Sequence, residues 1–481
     1  MAARPSRRQA LRLGAAPLGY LFTGPVHSVL RAAGANDRLR VAGIGSGAGS
    51  PGGKGASDIE HAALVMDVAA LCDIDDGRLD KRAATWPTAK KYPDYRKMID
   101  EAGKGIDAVV VSAPDHHHAP AAALCIRAGK HVYVQKPLTH TVFEARALKE
   151  LAAKHKVCTQ MGNQGSALNG LRRAVELVQA GVIGPVREAH VWTNRPFKYW
   201  KQAPDVVSRP PTAPVPPHVH WDEWVGPAPM RPYAVRTAEN NRPAYHPHDW
   251  RGYWDFGTGA LGDMGCHTAN MAFRALKLGA PDSVVAEAGA INPETYPAWG
   301  VIHYHFPARG DMPACTLHWY EGARDGKRVL PPAEVLGKFL KDGEQAADSG
   351  SILIGEKGTL YSPNDYGAKF RLTPEKDFAG LNLSTPEKGP RGVDSDRGDN
   401  DKFMKAEWAG AIKAGKPGLA SSNFDIAGQL TETLLLGNIA VRFAGTKLAW
   451  DAAKLQFPGN DAATRLVTKE YRKGWDLAGI G

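Results

Sequence analysis

The chain has 481 residues, of which 43% are hydrophobic and 23% charged, and its formal net charge is +10. That length fits two domains better than one, with the composition of an ordinary globular protein. No apolar run reaches the ~18 residues that span a membrane, and no basic stripe with interleaved aromatics marks a nucleic-acid surface.

In chain order, the first feature is Ser6-Arg7-Arg8-Gln9-Ala10-Leu11-Arg12, which resembles a twin-arginine export signal with Ala10 where phenylalanine is usual. The apolar stretch Leu13 to Phe22 and the small residues Ala32-Ala33-Gly34-Ala35 follow it. Residues 1–35 are therefore expected to be a signal segment, and the mature chain to work in the periplasm or elsewhere outside the cytoplasm. A basic amphipathic helix or a tail is the alternative. Those residues hold five arginines and no acid, so removing them leaves +5, which demands no polyanionic partner. The five cysteines are scattered, with no C-x-x-C pair and no disulfide framework.

Leu39–Gly45 reads as a short strand ending in glycine, and Gly43 to Gly55 holds seven glycines. Ser57 followed by Glu60 reads as a capping box that opens a helix, and Met66–Asp73 as the next strand. Strand, glycine loop, helix and strand form the unit that binds dinucleotides, because glycine lets the backbone approach a pyrophosphate and the helix N-terminus offers N–H groups to it. Gly43 and Gly45 fit the first two glycine positions; Ala48, Gly53 or Gly55 fits the third. Asp73 is the acid expected to accept the ribose hydroxyls, which favours NAD and leaves NADP open. A flexible surface loop is the competing account of this stretch.

Further strands are expected at Ile106–Pro114, His131–Pro137 and Lys156–Ser166, with a helix between the first two. Their ends carry Pro114-Asp115-His116-His117-His118, Gln135-Lys136-Pro137 and Gly162-Asn163-Gln164, where a mainly parallel sheet binds its ligands. The triple histidine is expected in a strand-end loop with one ring in the cleft, since three consecutive residues do not easily face one ion; no metal is expected. Residues 36–165 thus form a dinucleotide-binding domain, and residues 166–460 a second α/β domain.

Residues 204–247 contain eleven prolines, and the segment 197–250 is expected to be a long surface loop. Its aromatics can stack on sugar rings, or the loop can be a packing arm. His218, His220, His246 and His248 make a weak case for metal. Arg251, Tyr253 and Trp254 are candidate substrate contacts. Ser283–Ile291, Trp299–Phe306, Ala314–Gly322 and Ser351–Ser362 read as strands of a second sheet, and residues 401–444 as helix. Residues 461–481 are expected to be a C-terminal tail.

Two stretches, VSAPDHHHAPAAALCIRAGKHVYVQKPLTHTVFEARAL and WDFGTGALGDMGCHTANMAFRALKLG, resemble core signatures of the glucose–fructose oxidoreductase / inositol dehydrogenase / MocA (Gfo/Idh/MocA) family. The resemblance implies an N-terminal Rossmann domain, then an α/β domain with a large, mostly antiparallel open sheet whose outer face often makes dimers or tetramers. It implies hydride transfer between NAD(P) and a sugar, cyclitol or sugar derivative. Lys136 matches the lysine of the family's E-K-P motif, which contacts the reacting hydroxyl. Asp263 and His267 match its D-x-x-x-H pair, and His118 matches a residue facing nicotinamide and substrate. Gln135 departs from the usual glutamate. The expected cofactor contacts are Gly43, Gly45, Gly53, Gly55, Asp73, Pro114, His118, Gln135 and Lys136. The expected substrate contacts are His118, Asn163, Gln164, Arg251, Tyr253 and Trp254.

The chemistry agrees with these roles. Asp263 and His267, four apart, share one face of a helix. Histidine suits removal of a hydroxyl proton, and an ammonium favours the alkoxide that develops. Outside the cytoplasm the cofactor is expected to be tightly held. Two rival functions share the fold: an NAD-dependent glycoside hydrolase working by oxidation and elimination, and a non-catalytic carbohydrate-binding protein.

Overall fold

The computed structural model describes residues 38–49, 53–197, 199–237, 242–395 and 398–477. The export signal expected at residues 1–35 lies outside them.

The first sheet grows from short strands whose central members are apolar and buried, as parallel sheets require, while Lys90 and Lys91 of the edge strand are exposed. They are β1 (Arg40–Ile44), β2 (Asp67–Cys72), β3 (Lys90–Tyr92), β4 (Ala108–Val111), β5 (His131–Val134) and β6 (Thr159–Met161). Their order is β3-β2-β1-β4-β5-β6 and every pairing is parallel. The connections reverse direction between β1 and β4, so a crevice opens beyond the carboxyl ends of those strands. Two helices border it, α1 (Gly55–Ala63) and α2 (Asp115–Arg127), and α3 (Val142–His155) packs against α2.

Two local expectations are corrected. The box read at Ser57 and Glu60 does not form; α1 begins at Gly55, and the Ser57 hydroxyl instead donates to the Lys54 carbonyl at 2.9 Å. A true capping box opens α3, where Thr141 and Glu144 exchange hydrogen bonds. The triple histidine is not in a loop either. It is the first turn of α2, and all three rings are buried.

The second domain is built on nine strands: β7 (Val186–Trp192), β8 (Ser283–Ala288), β9 (Trp299–Phe306), β10 (Cys315–Arg324), β11 (Lys327–Arg328), β12 (Gly350–Gly355), β13 (Thr359–Ser362), β14 (Arg371–Thr373) and β15 (Leu448–Ala449). They run β14-β13-β12-β7-β10-β9-β8-β15, with β11 paired to β10. Only β7 and β10 pair in parallel. One face carries Ala189, Val191, Ile302, Tyr304, Leu317 and Trp319 into the main core, as strict alternation demands. Helices α4 (Gly259–Thr268) and α6 (Phe424–Ala440) cover that face. Gly437 lets the Tyr304 hydroxyl reach the Leu434 carbonyl at 2.9 Å, because a Cβ there would lie 2.1 Å from the hydroxyl.

The first domain is finished by the last quarter of the chain. Helix α5 (Asp399–Ala414) sets Met404 and Trp408 against Val41, Ile59 and Tyr133. Residues 461–477, expected as a tail, fold back instead. Tyr471 donates to Glu144 at 2.8 Å, Lys469 pairs with the same carboxylate at 3.1 Å, and the Arg96 guanidinium sits 3.6 Å over the Trp475 ring.

Candidate functional site

A cleft of about 320 Å³ lies over the carboxyl ends of β1, β2, β4 and β5. At its nucleotide end the chain turns out of β1 at Gly45, with φ of +69°, a conformation that glycine adopts without strain. Gly55 takes the third glycine position of the motif: a Cβ on it would lie 1.8 Å from the Gly45 carbonyl. The helix therefore starts hard against the turn. No side chain caps α1, so its leading N–H groups keep their capacity for an anion. Gly53 also lines the cleft, whereas Gly43 does not. Gly43 sits within β1, where a Cβ would press on Ser46 at 2.9 Å, so its part is strand–helix packing.

Asp73 follows β2 and faces the cleft. It accepts from the Gly47 N–H at 2.7 Å and the Asp75 N–H at 3.1 Å. Burial pushes its pKa up to about 6 against those bonds. Each oxygen keeps a lone pair for a hydroxyl donor. The glycine turn, the uncapped helix end and this carboxylate are what a dinucleotide's pyrophosphate and ribose need, and the residues fit NAD.

Beneath this cradle lies a buried charge cluster. Asp58 on α1 and Lys405 on α5 are fully buried and pair at 2.8 Å. Asp58 also accepts from the Ser112 hydroxyl and the Gln135 amide, both at 2.8 Å. Burial alone would raise the Asp58 pKa, but the charges of Lys405 and Lys54 hold it below the usual range. The amide at position 135 is explained by this neighbour: a glutamate there would set two carboxylates face to face.

At the far end of the cleft Lys136 meets Asp263. Its Nζ donates to Asp263 Oδ1 at 2.7 Å and to the Asp263 carbonyl at 3.0 Å. The Arg251 Nε lies 3.4 Å from the same carboxylate oxygen. Burial works to raise the Asp263 pKa, yet Lys136 and Arg251 hold it well below the usual carboxylate range. One turn further along α4, His267 is buried and packs edge-on against Tyr366 at 4.9 Å. Burial, then the charge of Lys136, keep its pKa well below the ordinary value, so the ring is a neutral base. Among the described residues its Nδ1 has no hydrogen-bond partner, and neither does Gln164 Oε1. Both residues line the cleft.

The other expected contacts divide. Pro114, His118, Gln135 and Arg251 line the cleft. The ring nitrogens of His118 face the carbonyls of Pro137 at 2.7 Å and Ala113 at 2.8 Å, and burial pulls its pKa down to about 4. They tie α2 to the Lys136 turn. Three expected substrate contacts do not reach the cleft. Asn163 is fully buried, donating to the Cys266 carbonyl and accepting from Ser166 and Ser422. Tyr253 packs edge-on against Tyr245 at 4.7 Å. Trp254 is held between Tyr296, 3.8 Å away, and the Arg442 guanidinium at 4.1 Å.

Among the cleft residues not expected as contacts are Asp115, Arg195, Tyr199, Trp200, Tyr366 and Trp475. Asp115 has a local signal, since it opens a helix directly after a strand. Burial pushes its pKa up to about 7, against the Thr258 hydroxyl that donates to it at 2.6 Å. The others arrive on long loops or the chain end and carry no local pattern.

Comparison with known proteins follows the same division of the chain. An oxidoreductase-family model describing an NAD-binding Rossmann fold matches residues 39–163, and the family's C-terminal alpha/beta domain matches residues 169–311. The chain belongs to the Gfo/Idh/MocA oxidoreductase family. Inositol 2-dehydrogenase of Salmonella typhimurium is 31% identical over 130 residues, a match spanning 26% of this chain and only 37% of that enzyme. Among solved Gfo/Idh/MocA-like folds, an inositol dehydrogenase homolog from Azotobacter vinelandii, complexed with NADH and myo-inositol, superposes with a TM-score of 0.56 at 15% identity, covering 86% of this chain and 98% of that one. Levoglucosan dehydrogenase in complex with NADH and levoglucosan gives a TM-score of 0.58 at 14% identity, covering 86% and 99%. At such identities these structures speak for the fold.

Proposed function

We propose that the chain is an NAD-dependent oxidoreductase that oxidises, or forms, a secondary alcohol on a sugar, cyclitol or sugar derivative. One observation carries it: the Lys136–Asp263 pair and the unpartnered Nδ1 of the buried His267 line one cleft with the glycine turn and Asp73. Bound NAD would supply the hydride acceptor, held by Gly45, Gly53, Gly55 and Asp73. The chain's own part is proton and charge handling. The His267 ring takes the hydroxyl proton, the Lys136 ammonium favours the oxygen as it becomes an alkoxide, and Asp263 fixes the ammonium. Tyr199, Trp200 and Trp250 offer aromatic faces to a sugar ring, while Arg251 and Gln164 offer polar contacts.

The test is turnover of NAD+ with a panel of sugars and cyclitols, followed by nicotinamide absorbance. Lys136→Met is expected to cut kcat/KM by about a thousandfold while the fold survives. Sugar binding with no NAD+ turnover across the panel would fit the carbohydrate-binding alternative. Free aryl alcohol released from aryl glycosides without net NADH would redirect the reading to the hydrolase. Export and a tightly held cofactor are part of the proposal, resting on Arg7-Arg8 and its flanks. Cell fractionation of an Arg7→Lys/Arg8→Lys variant, with mass spectrometry of the small molecules released on denaturation, checks both.

A further inference from the structure

The outer face of the nine-stranded sheet is apolar at one end, where Val335 and Phe339 cover Trp192, Tyr320 and Ile352. Beside that patch the strands present histidines. Register sets His303, His318 and His190 in one row across β9, β10 and β7. Glu188 is two residues before His190 and therefore on the same face.

We propose that Glu188, His190 and His318 form a binding site for a divalent transition ion, zinc by the nature of its donors, on this outer face. One ligand atom from each of the three lies within 4.8 Å of the others. Glu188 Oε1 is 2.9 Å from His190 Nε2 and 3.7 Å from His318 Nε2. Ligands at zinc–nitrogen and zinc–oxygen distances of about 2.0–2.2 Å stand roughly 3.3 Å apart in a tetrahedron. The two separations bracket that value, and the His190 and His318 rings, stacked with centroids 4.7 Å apart, must turn towards one another to close the third.

The outer partners fit as well. His190 Nδ1 lies 3.0 Å from the Tyr320 hydroxyl, and His318 Nδ1 lies 2.6 Å from His303 Nδ1. When each Nδ1 carries the proton and donates outward, both Nε2 lone pairs turn towards Glu188, which is how ligating histidines are held in register. The Tyr320 hydroxyl can donate or accept, so it serves the metal-free tautomer too, in which His190 Nε2–H donates to Glu188. His190 is almost fully buried, at 1% exposure, while Glu188 is half-open to solvent; an ion has a rigid seat and a way in. Two imidazoles and one carboxylate suit zinc, leaving its fourth position to water. None of the three residues lines the cleft.

The experiment uses the full chain without a histidine tag, stripped with chelator and then titrated with Co2+ and with Zn2+. One ion per chain is expected, with cobalt absorption bands that zinc displaces. Glu188→Gln, a change at a half-exposed residue that spares the fold, is expected to weaken binding at least tenfold, and His190→Ala/His318→Ala to abolish it. His305→Ala, outside the set, is expected to bind like the parent. No stoichiometric uptake, or uptake unaltered in Glu188→Gln, overturns the site.

Discussion

Gln135 shows how one residue is chosen by a neighbour far along the chain. Its amide donates to Asp58, 77 positions earlier, at 2.8 Å. Gln135→Glu would replace that donor with a second acid beside Asp58. We expect a loss of about 1–3 kcal/mol at pH 8, shrinking at pH 5 as the new carboxyl keeps its proton and donates again; urea unfolding at both pH values checks it. Glu321 makes the same point about charge. Burial pushes its pKa up to about 7, against the Trp319 N–H that donates to it at 2.8 Å. A raised acid binds its proton more tightly folded than unfolded. Its stabilising contribution is present at pH 4, falls as pH rises towards 7 and is gone above it. Glu321→Gln keeps an acceptor for Trp319 and is expected to gain up to about 3 kcal/mol over the parent at pH 8, and little at pH 4. A denaturation series across that range that shows no such divergence would refute it.

Among elements, α5 does for the first domain what no nearby segment does. It brings Lys405 to Asp58 and seats the charge over the Tyr133 ring at 3.4 Å. Lys405→Met strands a buried carboxylate and is expected to cost about 3–5 kcal/mol, read by thermal or chemical unfolding. The double change Asp58→Asn/Lys405→Met is expected to cost much less, since no lone charge remains. The long loop 197–250 packs on itself and also borders the cleft. Trp221 and Trp224 stack at 4.6 Å in a small core of their own, while Tyr199, Trp200 and Trp250 wall the cleft. It is also a bridge: the His220 N–H donates to the Ile74 carbonyl at 2.8 Å, tying the second domain's loop to the end of β2. Five of the first domain's six strands were legible because their apolar runs and glycine stops are local, while β3, Lys90-Lys91-Tyr92, has no apolar run to show it. Strand β7 was not legible either, because Arg187, Glu188 and His190 give it a polar look that the second sheet's open face tolerates. Asn163, Tyr253 and Trp254 were misread for a related reason. Residue type and nearness to a strand end or to α4 do not say which side of the backbone faces the cleft, and packing turned all three inward.

In the whole molecule the two domains are not consecutive beads. One apolar core runs from Ala42 and Val111 through Leu261 to Leu434, and the chain's final described stretch lands on the first domain. Trp475 sits edge-on to Tyr95 at 5.8 Å and to His117 at 5.7 Å, and lines the cleft. Deleting residues 471–481 is expected to weaken NAD binding by tenfold or more while most secondary structure remains; calorimetry with circular dichroism separates the two effects.

Where Lys405 and Trp475 come to rest sets how late in synthesis the site can be completed. When a ribosome has made the residues of the first six strands, the acid on α1 still lacks its cation and the cleft still lacks a wall. A growing chain released from the ribosome short of its last few dozen residues would therefore hold a nucleotide poorly, however well its early strands had paired. Completion of the cleft waits for the stretch that carries Trp475.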